Sequence, residues 1–289
     1  MPVDARLTRR SFLAAGVGLT VGAACGGSGK KRASSTTAPP DQLEVIQASA
    51  QLIAGADQRV SVAVLENSEP LAAGTPVSLA FGRSLTQLAP ARPAEPHADG
   101  IPTKPYYLTR QHFDVAGQWW VVASTGGKQG ATQLDVINAA DTRVPLPGQR
   151  MVPVATPTVA DHRGVEPICT RQPVCPLHEA SLDSALNEHR PLAVLFATPA
   201  LCESRTCGPD LDVLLTQVPA FQDKVRFVHV EVYRSLQASE ANLTDGMRAY
   251  HLDFEPVLYL AAPDGTIKDR LDGPFDIEEA KTSLTRLVG

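Results

Sequence analysis

LAVLFATPALCESRTCGP, Leu192 to Pro209, decides the fold. An unbroken apolar run leads into a loop with two cysteines, and then into Leu211, Leu214, Leu215 and Val218, spaced as one face of a helix. A buried strand feeding a loop and a helix start is where α/β proteins place chemistry, because the unpaired N–H groups of a helix's first turn favour negative charge. A thiolate is such a charge.

The spacing of Cys202 and Cys207 limits their local structure. Five residues of continuous helix would separate their Cα atoms by about 7.5 Å along the axis and turn them roughly 140° apart, out of reach of a disulfide. If the two pair, the helix starts after Cys202. Gly208-Pro209 offers such a start, with proline at the first helical position and Asp210 and Asp212 in the first turn. Both cysteines would then lie in the loop before the helix.

At the other end, Met1 to Ala24 has the form of a targeting segment. Arg6, Arg9 and Arg10 precede an apolar run, Phe12 to Ala24, that is too short to span a bilayer. TRRSFL, Thr8 to Leu13, resembles the twin-arginine export signal, departing from it in having no lysine after the leucine. Gly22-Ala23-Ala24-Cys25 resembles a bacterial lipobox, with glycine where leucine is usual; ordinary signal-peptidase cleavage is the alternative. The resemblance implies lipidation of Cys25 and a protein anchored by its lipid to the outer face of the cell membrane. Residues 25–42, with GGSGKKRASSTTAPP after the cysteine, have no apolar periodicity and form a flexible tether. Export would place the four remaining cysteines in an oxidising compartment, where disulfides persist. A net charge of −5 excludes nucleic acid as the expected partner.

Residues 43–138 are expected to be all-β. Alternating runs such as Arg59 to Leu65, Val77 to Phe81 and Trp119 to Ser124 are separated by Gly, Pro, Asn and Asp. This pattern over about a hundred residues suggests an immunoglobulin-like sandwich. Phe113 to Val122 looks like its late hairpin, with Ala116-Gly117 at the turn. Adjacent Trp119 and Trp120 point to opposite faces, so one faces the core. Residues 139–166 carry Pro145, Pro147, Pro153 and Pro157 with little periodicity, as a stiff extended linker does, and mark a domain boundary.

From residue 167 the elements follow in order. Ser181 can cap a short helix through Glu188, and the buried strand, the cysteine loop and the amphipathic helix come next. Then come the strand Val225 to Tyr233, a helix near Glu240 to Tyr250, and the strand Pro256 to Ala262. Pro263-Asp264-Gly265 turns the chain into Ile267 to Leu271. Asp276 and Glu279 make a capping box for a last helix whose apolar face is Ile277, Ala280, Leu284 and Leu287.

This βαβ then αββα order, with VLFATPALC, YHLDFEPVLYLAAPDGTIKDRLDG and the closing helix, resembles the thioredoxin fold over residues 167–289, an α/β domain. In that family a proline matching Pro256 is cis and faces the active-site cysteines, which makes Glu255 and Pro256 neighbours of Cys202. The resemblance implies thiol-disulfide exchange with exported protein thiols or disulfides, carried by Cys202, Cys207, Glu255 and Pro256. Three departures point to slower or more selective exchange. The spacing is C-x4-C behind Leu201 where the family has C-x-x-C behind tryptophan, and Leu195 stands where many thioredoxins carry a buried acid. Glu255 also places a carboxylate where it raises a thiol's pKa. Of the two cysteines, Cys207 lies nearer the helix field, whereas Cys202 follows the central strand, as the attacking cysteine does in the family, and is the more accessible. Access decides for Cys202 as the attacking thiol and Cys207 as the resolving one.

Cys169 and Cys175 are expected to form a structural disulfide worth less than the roughly 3 kcal/mol of a fifteen-residue loop. The alternative is a relay of electrons to Cys202 and Cys207. A metal site of these cysteines with His178 or His251 suits copper(I) or zinc in ligand softness. Neither cysteine spacing matches a zinc module, and His229, in mid-strand, is expected to be structural. No cofactor and no resident metal are therefore assigned. Two other functions stay open: a binding or scaffolding lipoprotein with purely structural disulfides, and a copper metallochaperone.

Overall fold

Val60, Val62 and Val64 alternate inward along one strand and Trp119, Val121 and Ala123 along another, and these two rows meet in one apolar core. Such period-two burial builds two layers of sheet face to face. The computed structural model describes residues 42–289; the twin-arginine motif, Cys25 and the tether through residue 41 lie outside the described residues. The β-half has β1 (Leu43–Gln47), β2 (Leu52–Ile53), β3 (Asp57–Glu66), β4 (Glu69–Pro70) and β5 (Val77–Ser84). It continues with β6 (Gln87–Leu88), β7 (Arg92–His97), β8 (Tyr106–His112), β9 (Gly117–Thr125) and β10 (Lys128–Ile137). The strand order is β1-β3-β8-β7-β5-β9-β10-β2, with β4 on β3 and β6 on β5. β7 pairs through Arg92, Pro93 and Ala94 with β5 and through Glu95, Pro96 and His97 with β8, so it carries the chain from one layer to the other.

The expected late hairpin is not formed. β8 pairs with β3 and β7, and β9 pairs with β5 and β10, so residues 113–116 cross between the layers. Gly117, at φ +111°, supplies the bend. Phe113 and Trp119 meet edge to face at 5.1 Å beneath this crossing, which makes Trp119 the core-facing tryptophan of the pair.

The second half centres on β11 (Leu192–Phe196), buried along its whole length. A strand apolar at every position must be covered on both faces. It runs parallel to β12 (Arg226–Val230) and antiparallel to β13 (Val257–Ala261), which pairs with β14 (Ile267–Asp272), in the order β12-β11-β13-β14. Ala193, Leu195, Leu258 and Leu260 pack under α2 (Cys207–Phe221) and α4 (Ile277–Val288). Val194, Phe196, Val230 and Tyr259 face α1 (Leu182–Asn187) and α3 (Asp245–Ala249). The helix expected near Glu240 to Tyr250 is thus shorter, a 3-10 turn at Glu240–Asn242 and then α3. Among the described residues no helix is long and apolar enough to cross a membrane.

The proline-rich stretch packs against the second half. Val144 and Met151 join the α1/α3 core. Gly148 N donates to Ile267 O, Ile267 N to Gln149 O and Met151 N to Gly265 O, each at 2.8 Å, so residues 148–151 run along the start of β14 as a strap.

Asp276 caps α4 by accepting from Glu279 N at 2.9 Å. Glu279 does not return the bond; its carboxylate turns to the β-half, where Arg59 grips it with Nε at 2.6 Å and Nη2 at 2.9 Å. The Tyr106 hydroxyl donates to the same carboxylate, and His97 Nδ1 lies 2.9 Å from Asp276. Burial alone would raise the Glu279 carboxyl, yet the Arg59 charge holds it below its usual range. A buried, charge-assisted fork thus ties the two halves together.

Candidate active site

β11 delivers the chain to the surface, and residues 197–206 turn it back into α2. Leu201 N donates to Thr198 O and Arg205 N to Cys202 O, with Arg205 at φ +57°, so two successive turns bring Cys202 over the helix start. Cys202 and Cys207 form a disulfide with Cα atoms 6.0 Å apart. The helix starts after Cys202 as expected, but at Cys207, two residues before Pro209, so Cys207 is its first residue rather than a loop residue. Pro209 is accommodated because the N–H it lacks belongs to the first turn, which has no intrahelical acceptors.

The backbone N–H of Cys207 donates to Cys202 Sγ at 3.3 Å. Ser204 Oγ lies 3.2 Å from the same sulfur and 2.8 Å from Thr206 Oγ1. The first amide of α2 therefore serves Cys202, which is 8% exposed, whereas Cys207 is fully buried. Anionic sulfur at residue 202 is the species this arrangement stabilises.

On the other side of the pair, Glu255 and Pro256 are joined by a cis peptide bond at the head of β13. Glu255 Oε2 accepts from Thr198 N at 2.5 Å and lies 3.4 Å from Cys207 Sγ. Burial raises this carboxyl to about 7, against the Thr198 amide, which lowers it. Leu195 is buried in the core under α2, so no acid comes from β11. The carboxyl that touches the inner sulfur comes from the residue before the cis proline instead.

Cys169 and Cys175 correct an expectation. They are unbonded, and both thiols are buried against His229 and His178. Cys175 Sγ is 3.4 Å and Cys169 Sγ 3.8 Å from His229 Nδ1, which is itself 3.1 Å from His178 Nε2. The backbone accounts for this convergence: His229 N donates to Leu177 O at 2.9 Å, laying the irregular 169–178 segment along the outer edge of β12. His251, the other histidine considered for such a site, is exposed and takes no part in the cluster.

Sequence reasoning also passed over Glu231. It is buried and accepts from Thr170 N at 2.7 Å, while Thr170 Oγ1 accepts from Ala200 N at 3.2 Å, so the 169–178 segment braces the loop that leads to Cys202. A signal was present. His229 and Glu231 share the face of Phe227 in the otherwise apolar run Phe227 to Tyr233, and polar groups in such positions need buried partners.

No family model matches the chain, and no curated protein matches it in sequence. Solved structures do match. The thioredoxin domain of a thiol-disulfide oxidoreductase from Bacteroides vulgatus aligns at 17% identity over 50% of this chain and 99% of that one, with a TM-score of 0.34. The sulfur carrier protein SoxY from Chlorobium limicola f thiosulfatophilum aligns at 18% identity over 33% and 78%, with a TM-score of 0.21. The titin M3 domain aligns at 15% identity over 34% and 97%, also with a TM-score of 0.21.

Proposed function

We propose that this chain is an extracytoplasmic, membrane-anchored thiol-disulfide oxidoreductase that acts on the thiols or disulfides of exported proteins. One observation carries the proposal. Of two cysteines within bonding distance, the outer one receives the first amide of α2 and the inner one lies against a carboxyl that titrates near neutrality.

In the reducing direction, the Cys202 thiolate attacks one sulfur of a partner disulfide, forming a mixed disulfide and releasing the other sulfur as a thiolate. Glu255 takes the proton of Cys207, and the new thiolate attacks Cys202 Sγ. The Cys202–Cys207 bond forms, the second partner sulfur leaves, and two electrons have passed to the partner. Turnover needs an external dithiol to reduce the pair again. In the oxidising direction the same steps run backwards, with Glu255 returning the proton to Cys207. A cleft of about 630 Å³ lined by Glu203, Ser204, Tyr233, Leu243, Phe254 and Glu255 adjoins the pair and suits an extended peptide segment. The twin-arginine resemblance of residues 8–13 and the lipobox resemblance ending at Cys25 support export and anchoring, with residues 25–42 as the tether.

Trapping tests the proposal. A Cys207→Ser chain should accumulate mixed disulfides with exported proteins, because nothing resolves them, and Cys202→Ser should accumulate none. The absence of adducts from both variants would make the pair a structural bond in a binding lipoprotein.

A further inference from the structure

Cys169, Cys175, His178 and His229 present two sulfurs and two imidazoles whose ligand atoms all lie within 4.8 Å of one another. A tetrahedral zinc ion, with bonds near 2.3 Å to sulfur and 2.0 to 2.1 Å to nitrogen, separates its ligand atoms by roughly 3.3 Å N to N, 3.5 Å S to N and 3.8 Å S to S. Three of the six separations are 3.1 Å from His229 Nδ1 to His178 Nε2, and 3.4 and 3.8 Å from His229 Nδ1 to the two sulfurs. These three separations match those of a zinc site, and the other three are no longer than 4.8 Å.

The tautomer fits as well. His229 Nε2 lies 2.9 Å from Ala197 O, and a carbonyl can only accept, so the ring proton sits on Nε2. That leaves the Nδ1 lone pair facing the sulfurs. A metal-bound histidine usually has its other nitrogen fixed in this way. Two thiolates would balance the charge of a divalent ion, so the filled site would be neutral in a buried setting.

We propose that these four residues bind one zinc ion in a closed S2N2 site that fixes the 169–178 segment to β12. Tetrahedral S2N2 coordination with no open position is a structural zinc geometry, and all four residues are buried. Burial also speaks against a copper-delivery role, which needs a face where the ion can be handed over. Through Thr170 and its bonds to Glu231 and Ala200, the ion would brace the loop that carries Cys202. The site shares no ligand with the Cys202–Cys207–Glu255 group, so zinc binding can be tested apart from the exchange proposed there. The spacing C-x5-C-x2-H concealed it because the fourth ligand arrives from β12, fifty-one residues beyond His178.

The test is metal content. The full chain, reduced, loaded with zinc and desalted, should hold one zinc per chain, and cobalt in its place should show the thiolate charge-transfer and d–d bands of a tetrahedral S2N2 site. Cys169→Ser and His229→Gln should each weaken zinc at least about tenfold, while Cys202→Ser/Cys207→Ser should keep it. If the ligand variants fail to fold, stripping zinc from the unaltered chain with a chelator should lower Tm, and adding zinc back should restore it. Three results would overturn the proposal: no zinc above background on reduced, folded chain; zinc lost only with Cys202 and Cys207; or a Cys169–Cys175 disulfide in chain isolated from its exported location with zinc present throughout.

Discussion

Cys207 donates its backbone N–H to Cys202 Sγ at 3.3 Å, so the start of α2 serves the sulfur of its neighbour. From sequence, the helix field favours Cys207 and access favours Cys202. In the fold both favour Cys202, because the amide reaches across the five-residue turn while the Cys207 sulfur points inward to Glu255.

Rapid alkylation of the reduced chain should therefore fall on Cys202. Peptide mapping after a brief iodoacetamide pulse checks this, and preferential labelling of Cys207 would reverse the two roles.

In the proposed exchange, Glu255 sets the pH dependence. Below about 7 its carboxyl holds a proton and cannot take one from Cys207, so resolution of the mixed disulfide should accelerate as pH rises through that value. Glu255→Gln should slow resolution by roughly 10²-fold and remove the inflection, read by quenched-flow decay of a mixed disulfide. Stability has its own sign. An acid whose folded pKa is raised binds its proton more tightly in the folded state, so stability falls as pH rises from the unfolded value of 4.5 to about 7. Glu255→Gln should accordingly raise Tm at pH 8 and leave it unchanged at pH 4.

The Arg59–Glu279 fork ties the β-half to α4. Removing one partner leaves a buried charge alone, so Arg59→Ala should cost about 3–5 kcal/mol, whereas Arg59→Met with Glu279→Leu should recover most of it. Glu279 and Asp276 both have folded pKa values below their usual ones, so their contribution is complete above the unfolded carboxylate range and is lost as pH falls through the folded values. Denaturant midpoints across the acid range would show it. A single Arg59→Ala chain as stable as wild type would remove the fork from the account.

Much of this was legible in the chain itself, because β11 is apolar at every position, the leucines of α2 recur at helical spacing, and Asp276 stands three residues before Glu279. The start of α2 was misplaced because Gly208-Pro209 resembles a helix start, whereas Thr206 O closes the first turn on Asp210 N at 2.8 Å. The crossing at Gly117 was hidden because a short loop between two strands has the same sequence pattern whether they pair or part. The histidine and cysteine cluster was illegible for a different reason. Its members meet only when β12 pairs with β11 and the 169–178 segment lies along its edge.

Anchoring rests on Cys25, outside the described residues. The mature chain should fractionate with membranes, and Cys25→Ala should release it or block processing. Soluble mature protein from the unaltered gene would contradict lipidation.

The central claim, that the Cys202–Cys207 bond is exchanged rather than merely structural, is tested most directly by its equilibrium reduction potential in dithiol buffers, with the cysteines assigned by mass. An exchanging pair should lie above about −250 mV, and a value of roughly −300 mV or below would mark a structural bond and contradict the account.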